Sequence, residues 1–191
     1  MQPLSLRVMR DDHQALAAML RSLGMLLAQS RRDHKLPDFD AVRAMLFYVD
    51  EFPEKLHHTK ESELLFPRVR AKAPELGGVL DRLDRDHAFG EAGIRELEHK
   101  LLAFEVMGES RRDDFEAAFE RYTRSYLEHM AIEETEILPA AQRLFGPADW
   151  ADLDAAFAAN RDPLTGHTPE DAYRPLFQKI LNRIPAPIGL G

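Results

Sequence analysis

Two stretches of this chain carry the same pair of polar residues at the same helical spacing, and few folds can accommodate both. Glu51–Arg68 reads EFPEKLHHTKESELLFPR and contains His57 and Glu61; Tyr126–Pro139 reads YLEHMAIEETEILP and contains His129 and Glu133. Residues four apart in a helix project from one face at adjacent turns. Both stretches otherwise show the apolar spacing of packed helices, so each polar pair is costly there unless something binds it. A metal ion is the simplest candidate.

The composition restricts which metal chemistry is open. The chain has no cysteine, which excludes disulfides, thiolate ligands and iron–sulfur clusters. Any protein-bound metal must use imidazole and carboxylate. The 191 residues suit one domain with a real core, and 45% hydrophobic with 30% charged residues suits a soluble globular protein. A net charge of -8, from 33 acidic and 25 basic residues, disfavours nucleic acid as a partner of the general surface. No run long enough to span a bilayer is present, and the opening MQPLSLRVMRDDH lacks the apolar centre of a secretory signal. The expectation is a cytoplasmic protein with no membrane partner.

Apolar periodicity predicts four long helices. The first runs roughly over Leu6–Arg32, with Asp11 or Asp12 able to cap it unless it starts earlier. The second runs from about Phe39 to Arg70, capped by Asp38 or Asp40, with Pro53 and Pro67 expected to loosen or end it. The third covers about Glu75–Val106, where Gly90 and Gly93 leave room for a neighbouring helix. The fourth starts after Asp113 or Asp114 and reaches about Leu144. Four long helices with short connections predict an all-α, up-down-up-down four-helix bundle over residues 1–146. Residues 147–191 are expected to form a C-terminal extension packed on the bundle or at a dimer contact. It comprises a short helix over Asp149–Ala159, a loop, and an amphipathic helix over Pro169–Arg183 that offers Tyr173, Leu176, Phe177, Ile180 and Leu181 for docking. Its end is expected to be irregular.

Position along the bundle brings the histidines together. His13 lies about 20 residues before the first helix ends and His57 about 17 after the second begins, or roughly 30 and 26 Å from one turn at 1.5 Å per residue. The same count matches His57 with His87, and His87 with His129. One histidine from each of four helices at one level, with Glu61 and Glu133 a turn away, makes a six-residue candidate site. Nitrogen and oxygen donors of this kind suit iron, manganese or zinc. Six donors exceed one tetrahedral ion and imply two, typically about 3.5–4 Å apart. Glu91, four residues after His87, is expected as a further ligand or as an acceptor orienting a ligand imidazole. Tyr126, three before His129, either faces the same cavity or packs as an ordinary core tyrosine. His58 should point about 100° from His57 on an α-helix. It is expected to be partly exposed or to orient a ligand.

These residues resemble the hemerythrin-like family, in its HHE cation-binding branch. The resemblance rests on His13, on LHHTKESELLFP with His57 and Glu61, on DRDHAFGE with His87, and on EHMAIEETEILP with His129 and Glu133. It covers about residues 5–145. It implies a non-haem di-iron centre with an oxo or hydroxo bridge, in which the four histidines are terminal ligands and the two glutamates bridge. Manganese or zinc are substitutes. Oxygen-carrying members use a further histidine in the third-helix pair, where this chain has Glu91 and Leu83. The resemblance therefore implies a protein that binds, reduces or senses O2, peroxide or nitric oxide, with an electron donor for any reduction, as a monomer or homodimer. The alternative is a metal-dependent regulatory or iron-binding module without turnover. No residue is assigned a catalytic role of its own.

Overall fold

The computed structural model describes residues 2–160, 162–168 and 170–183, with the backbone alone for 181–183. The side chain of Leu181 and the irregular end expected beyond 184 lie outside these residues. The fold is all-α. Helix α1 (Leu4–Arg32) forms the first rod. The second is α2 (Phe39–Val49), then wide π-helical turns over Asp50–His58 and Glu61–Leu65, then α3 (Phe66–Lys72). Helix α4 (Gly77–Met107) is the third. The fourth joins α5 (Arg112–Ile132), a π-helical turn over Glu133–Ile137 and α6 (Leu138–Leu144). Helices α7 (Pro147–Phe157) and α8 (Arg174–Arg183) follow. No helix among the described residues is long and apolar enough to cross a membrane.

The rods start where their amide donors find partners. Helix α1 begins ahead of Asp11 and Asp12 because its first turn is satisfied from another element. The amide and hydroxyl of Ser5 both donate to Asp154 Oδ1 of α7, at 2.8 and 2.6 Å. At α2 the Asp38 carboxylate accepts the Ala41 amide at 3.1 Å. Pro53 and Pro67 do not end the second rod. A proline offers no N–H to the carbonyl four residues back and crowds it. Widening the turn removes that conflict, so the rod continues through both prolines.

The core is divided in two. One apolar cluster joins Leu16, Leu20, Tyr48, Phe52, Ile94, Phe104, Phe119 and Met130; the other joins Leu6, Met9, Leu65, Phe66, Leu83, Ile137 and Phe157. His13, His57, Glu61, His87, His129 and Glu133 fall between them in every rod, as a buried polar layer. The extension packs on both halves. Phe157 joins the second cluster, while Phe177 of α8 meets Tyr48 and Phe52 at ring distances of 5.9 and 5.5 Å. Tyr173 donates to Glu51 at 2.7 Å, and Tyr48 donates to Asp162 in the turn after α7.

Burial pushes the Asp162 carboxyl up from 3.8 to about 6, against the Tyr48 hydroxyl and the Leu164 amide that favour its charge. The folded protein therefore holds this proton to higher pH than the unfolded chain, and stability falls as pH rises through that interval. Asp162→Asn keeps an acceptor for the Leu164 amide and turns the other oxygen into an NH2 that can donate to the Tyr48 hydroxyl oxygen, as the protonated acid can. It should match the parent below pH 4 and exceed it at pH 7 by on the order of 2–3 kcal/mol, read from urea unfolding across pH.

At Gly90 the side chains of α5 and of the second rod leave α4 no room for a Cβ. A Cβ there would lie 2.7 Å from Glu54 Oε1 and nearer still to the Tyr126 hydroxyl; at Gly93 it would lie 2.9 Å from the Tyr122 ring. Gly90→Ala should lower the urea midpoint by the equivalent of about 1–3 kcal/mol. Gly78→Ala, where nothing lies within 4 Å, should leave stability unchanged or raise it by up to ~1 kcal/mol.

Candidate metal centre

The π-helical turns aim the polar layer. Each of the two glutamates opens such a turn, and each turn closes just before a proline. The Phe66 amide bonds the Glu61 carbonyl and the Leu138 amide bonds the Glu133 carbonyl, both five residues back. Pro67 and Pro139 follow directly, so the same local conflict shapes both turns. Glu61 and Glu133 emerge with no exposed surface.

Each carboxylate divides its oxygens between two groups of imidazoles. Glu61 Oε1 lies 3.0 Å from His57 Nε2 and Oε2 lies 3.6 Å from His87 Nε2. Glu133 Oε2 lies 3.2 Å from His13 Nε2 and Oε1 lies 3.2 Å from His129 Nε2. Ligand-capable atoms fall into two buried groups that share Glu61: His13, His57 and Glu61 on one side, and His58, Glu61, His87 and His129 on the other. All six residues expected from the sequence are therefore brought together, and His58 joins them.

His58 is 4% exposed and stacks on His87 at 4.3 Å. The expectation that it points away from His57 assumes α-helical turns. In the wide turn over Asp50–His58, successive residues are separated by a smaller angle, and His57 and His58 both face inward. Glu91 is not in the cluster. It is exposed, and its nearest charge is Arg95 at 3.4 Å. Tyr126 is buried beside the site, with its ring 5.4 Å from His58 and its hydroxyl donating to Glu54.

Four of the five rings hydrogen-bond an oxygen through Nδ1, and the fifth faces a carboxylate beyond hydrogen-bond distance. His57 donates to Asp12 at 2.9 Å; His13 meets Glu134 at 3.1 Å, His58 meets Glu54 at 3.2 Å and His87 meets Ser62 at 2.8 Å. His129 Nδ1 faces Asp86 at 3.7 Å. Outer acceptors of this kind fix the tautomer and orientation of a metal-binding imidazole. Sequence reasoning missed all five. A partial signal was present, since an Asp–His dipeptide occurs at Asp12–His13 and Asp86–His87. Each aspartate serves the histidine of another rod, which spacing within one helix cannot reveal.

Burial opposes the protonation of every one of these rings. At His13 the carboxylates of Glu133 and Glu134 together outweigh it and lift the imidazole to about 9; at His57, Glu61 and Asp12 have the same effect. His87 falls to about 2 through burial and its imidazole neighbours, and His58 falls as well. Burial and the Glu133 charge raise Glu61, whereas His129 and His13 hold Glu133 well below the carboxylate range despite its burial. Beside them, burial pushes Glu54 up to about 7 even though Tyr126 and Tyr122 donate to it.

The donor atoms suit a cation. Both oxygens of Glu61, both of Glu133, and Nε2 of His13 and His57 are buried and stand at ion-pair distance from one another, yet none makes a hydrogen bond of good angle. Orphaned acceptors and imidazole nitrogens at one level are costly alone and favourable around a metal ion.

Comparison with known proteins agrees with this geometry. A family model described as the Hemerythrin HHE cation binding domain matches residues 4–141. An uncharacterized protein of Haemophilus influenzae is 30% identical over 79 residues, which is 41% of this chain and 45% of that relative. The chain thus spans less than half the length of the curated relative it matches. No solved structure matches it. With a family match over most of its length and two His/Glu clusters between its rods, the chain belongs to the hemerythrin HHE cation-binding family.

Proposed function

We propose that residues 1–146 form a module that holds two iron ions, bridged by an oxo or hydroxo group, and binds, reduces or senses a small oxygen or nitrogen species. The observation that carries this reading is the division of Glu61 and Glu133, each with one oxygen toward each group of imidazoles. That arrangement is what two bridging carboxylates require. Nitrogen and oxygen donors without sulfur suit iron, with manganese or zinc as substitutes. When bound, the metal pair supplies redox equivalents and coordination positions for a small ligand.

The chain supplies the rest. His13 and His57 serve one ion, and His58, His87 and His129 the other. Glu61 and Glu133 serve both. His58 provides the fifth imidazole that the third rod lacks at Glu91 and Leu83. This returns the neutral nitrogen donor whose loss would argue against reversible O2 binding. Asp12, Glu54, Ser62 and Glu134 hold four of the rings from outside, while Leu65, Phe66 and Leu83 below and Phe52 and Met130 above pack around the layer. The side with two imidazoles has the fewer protein donors and so the more room for an exogenous ligand. A cleft of about 10 Å³ beside His57, lined by Asp12, Phe52, Pro53, Leu56, Asn160 and Asp162, has the size of one water. The burial of the whole polar layer between the two apolar clusters favours O2, peroxide or nitric oxide over any larger substrate. A reductive cycle would draw on an electron donor in the cytoplasm.

Purification from iron-supplemented cells should give about two irons per chain, with near-ultraviolet bands of a bridged pair. Glu133→Ala should reduce the content to fewer than one, while Glu91→Gln leaves it unchanged. Reduced protein mixed anaerobically with nitric oxide, or exposed to O2 or peroxide, should develop a new absorption band. Two irons with no response to any of the three would favour the regulatory iron-binding reading. A parent protein that takes up no metal would remove both.

A further inference from the structure

Asp12 carries a contact that the bundle does not provide. Its Oδ2 accepts from His57 Nδ1 at 2.9 Å and from Asn160 Nδ2 at 3.1 Å, while its Oδ1 has no hydrogen-bond partner. Asn160 belongs to the extension, beyond the residues 4–141 that define the family match. Its amide oxygen accepts from Lys60 Nζ. The orientation of this amide is dictated by its neighbours, since a carboxylate cannot donate and an ammonium cannot accept. Lys60, Asn160, Asp12 and His57 thus form one chain of hydrogen bonds, and the last three residues are at most 7% exposed.

From this geometry we infer that Asn160 is a positioning residue for His57, acting through Asp12. The extension is thereby part of the metal centre. The inference rests on the proposed two-metal reading and concerns the side that has only two imidazoles. A carboxylate at Nδ1 orients a ligating imidazole and raises its basicity, provided the carboxylate itself is held. Asp12 has one oxygen free, so the Asn160 amide is the bond that fixes its rotation.

The backbone around Asn160 is held to deliver that bond. Its amide donates to the Phe157 carbonyl at 2.9 Å at the end of α7. The Phe157 ring stands edge-on to His57 at 5.9 Å. Asp154 is tied to Ser5 before it, and Asp162 to Tyr48 after it. The Tyr48–Asp162 bond therefore anchors the same turn without touching Asp12, which makes Tyr48→Phe the control for a purely structural role.

The test is competition for ferrous iron between the full-length protein and a colorimetric chelator under anaerobic conditions. In the parent protein two ions should be withdrawn. In Asn160→Ala one of them should be lost at about 10- to 100-fold lower chelator concentration, with the other unchanged. Asn160→Leu removes the same donor with its size roughly preserved and no charge added beside Asp12, and should show the same loss if the alanine variant does not fold. Tyr48→Phe should retain both ions like the parent. Asn160→Ala added to Asp12→Asn should weaken binding no further than Asp12→Asn alone, because the two lie on one path. Unchanged retention in both Asn160 variants, equal loss in Tyr48→Phe, or additive loss in the double variant would overturn the inference and leave the two-metal reading standing. A parent that binds no iron pair would instead overturn that reading and the inference with it.

Discussion

Two carboxylates without exposed surface, Glu61 and Glu133, set the terms for the rest of the molecule. Removing an ionised carboxylate from water costs on the order of several kcal/mol even after the protein relaxes around it. Here two of them face one another between apolar clusters, and their environments respond unequally. Burial and the other glutamate's charge raise Glu61, while His129 and His13 keep Glu133 ionised. Protein groups alone balance this charge by protonating His13 and His57. Divalent cations would balance it without those protons, and would also satisfy oxygens and nitrogens that otherwise make no hydrogen bond of good angle. The polar layer is therefore the least independent part of the fold. It depends on the apolar clusters to hold the rods at one spacing, and on a ring of outer oxygens to hold the imidazoles.

The wide helical turns explain how four rods deliver so many donors to one level. A regular α-helix places one residue per turn on a narrow line, so one rod offers a ligand pair at best. The second rod offers His57, His58 and Glu61, because Pro53 and Pro67 favour wider turns around these residues. The fourth rod repeats the Glu61–Pro67 spacing at Glu133–Pro139, with the same bond from five residues on to the glutamate carbonyl. Helix α4 has no proline among its residues and keeps α-helical turns. It contributes His87 alone. The residue it turns toward Tyr126 and Glu54 is Gly90, while Glu91 faces solvent beside Arg95.

These same turns mark what the sequence could and could not reveal. The four rods were legible because their apolar periodicity is long. The common level of His13, His57, His87 and His129 was legible because rise per residue is nearly independent of side chains. His58 was misplaced because its direction was inferred from 3.6 residues per turn, which fails around Pro53; Glu91 lies in regular α4, where the rotation of the rod turns Gly90 inward and Glu91 toward Arg95. Asp12, Glu54, Ser62, Asp86 and Glu134 were not legible as partners of particular rings, since the pairing is set by how the rods are rotated against one another. Glu54 lies four residues before His58, a spacing that could have been noticed once His58 was turned inward.

The unequal division of imidazoles gives the extension its significance. The side with His58, His87 and His129 is enclosed by the rods themselves, with Phe66 stacked on His87 at 5.4 Å and Tyr126 packed on His58. The side with His13 and His57 borders the turn after α7, and the cleft there takes walls from both units: Phe52, Pro53 and Leu56 from the second rod, Asn160 and Asp162 from the extension. A cleft with room for about one water is sensitive to displacements of a fraction of an ångström in either wall. Its width is thus governed jointly by Pro53, which widens the rod, and by the bonds from Asp162 to Tyr48 and from Asn160 to Asp12. Changes in this turn would therefore act on the centre through Asp12 and His57, because the bundle residues lining the cleft already carry the constraints of the helix and the core.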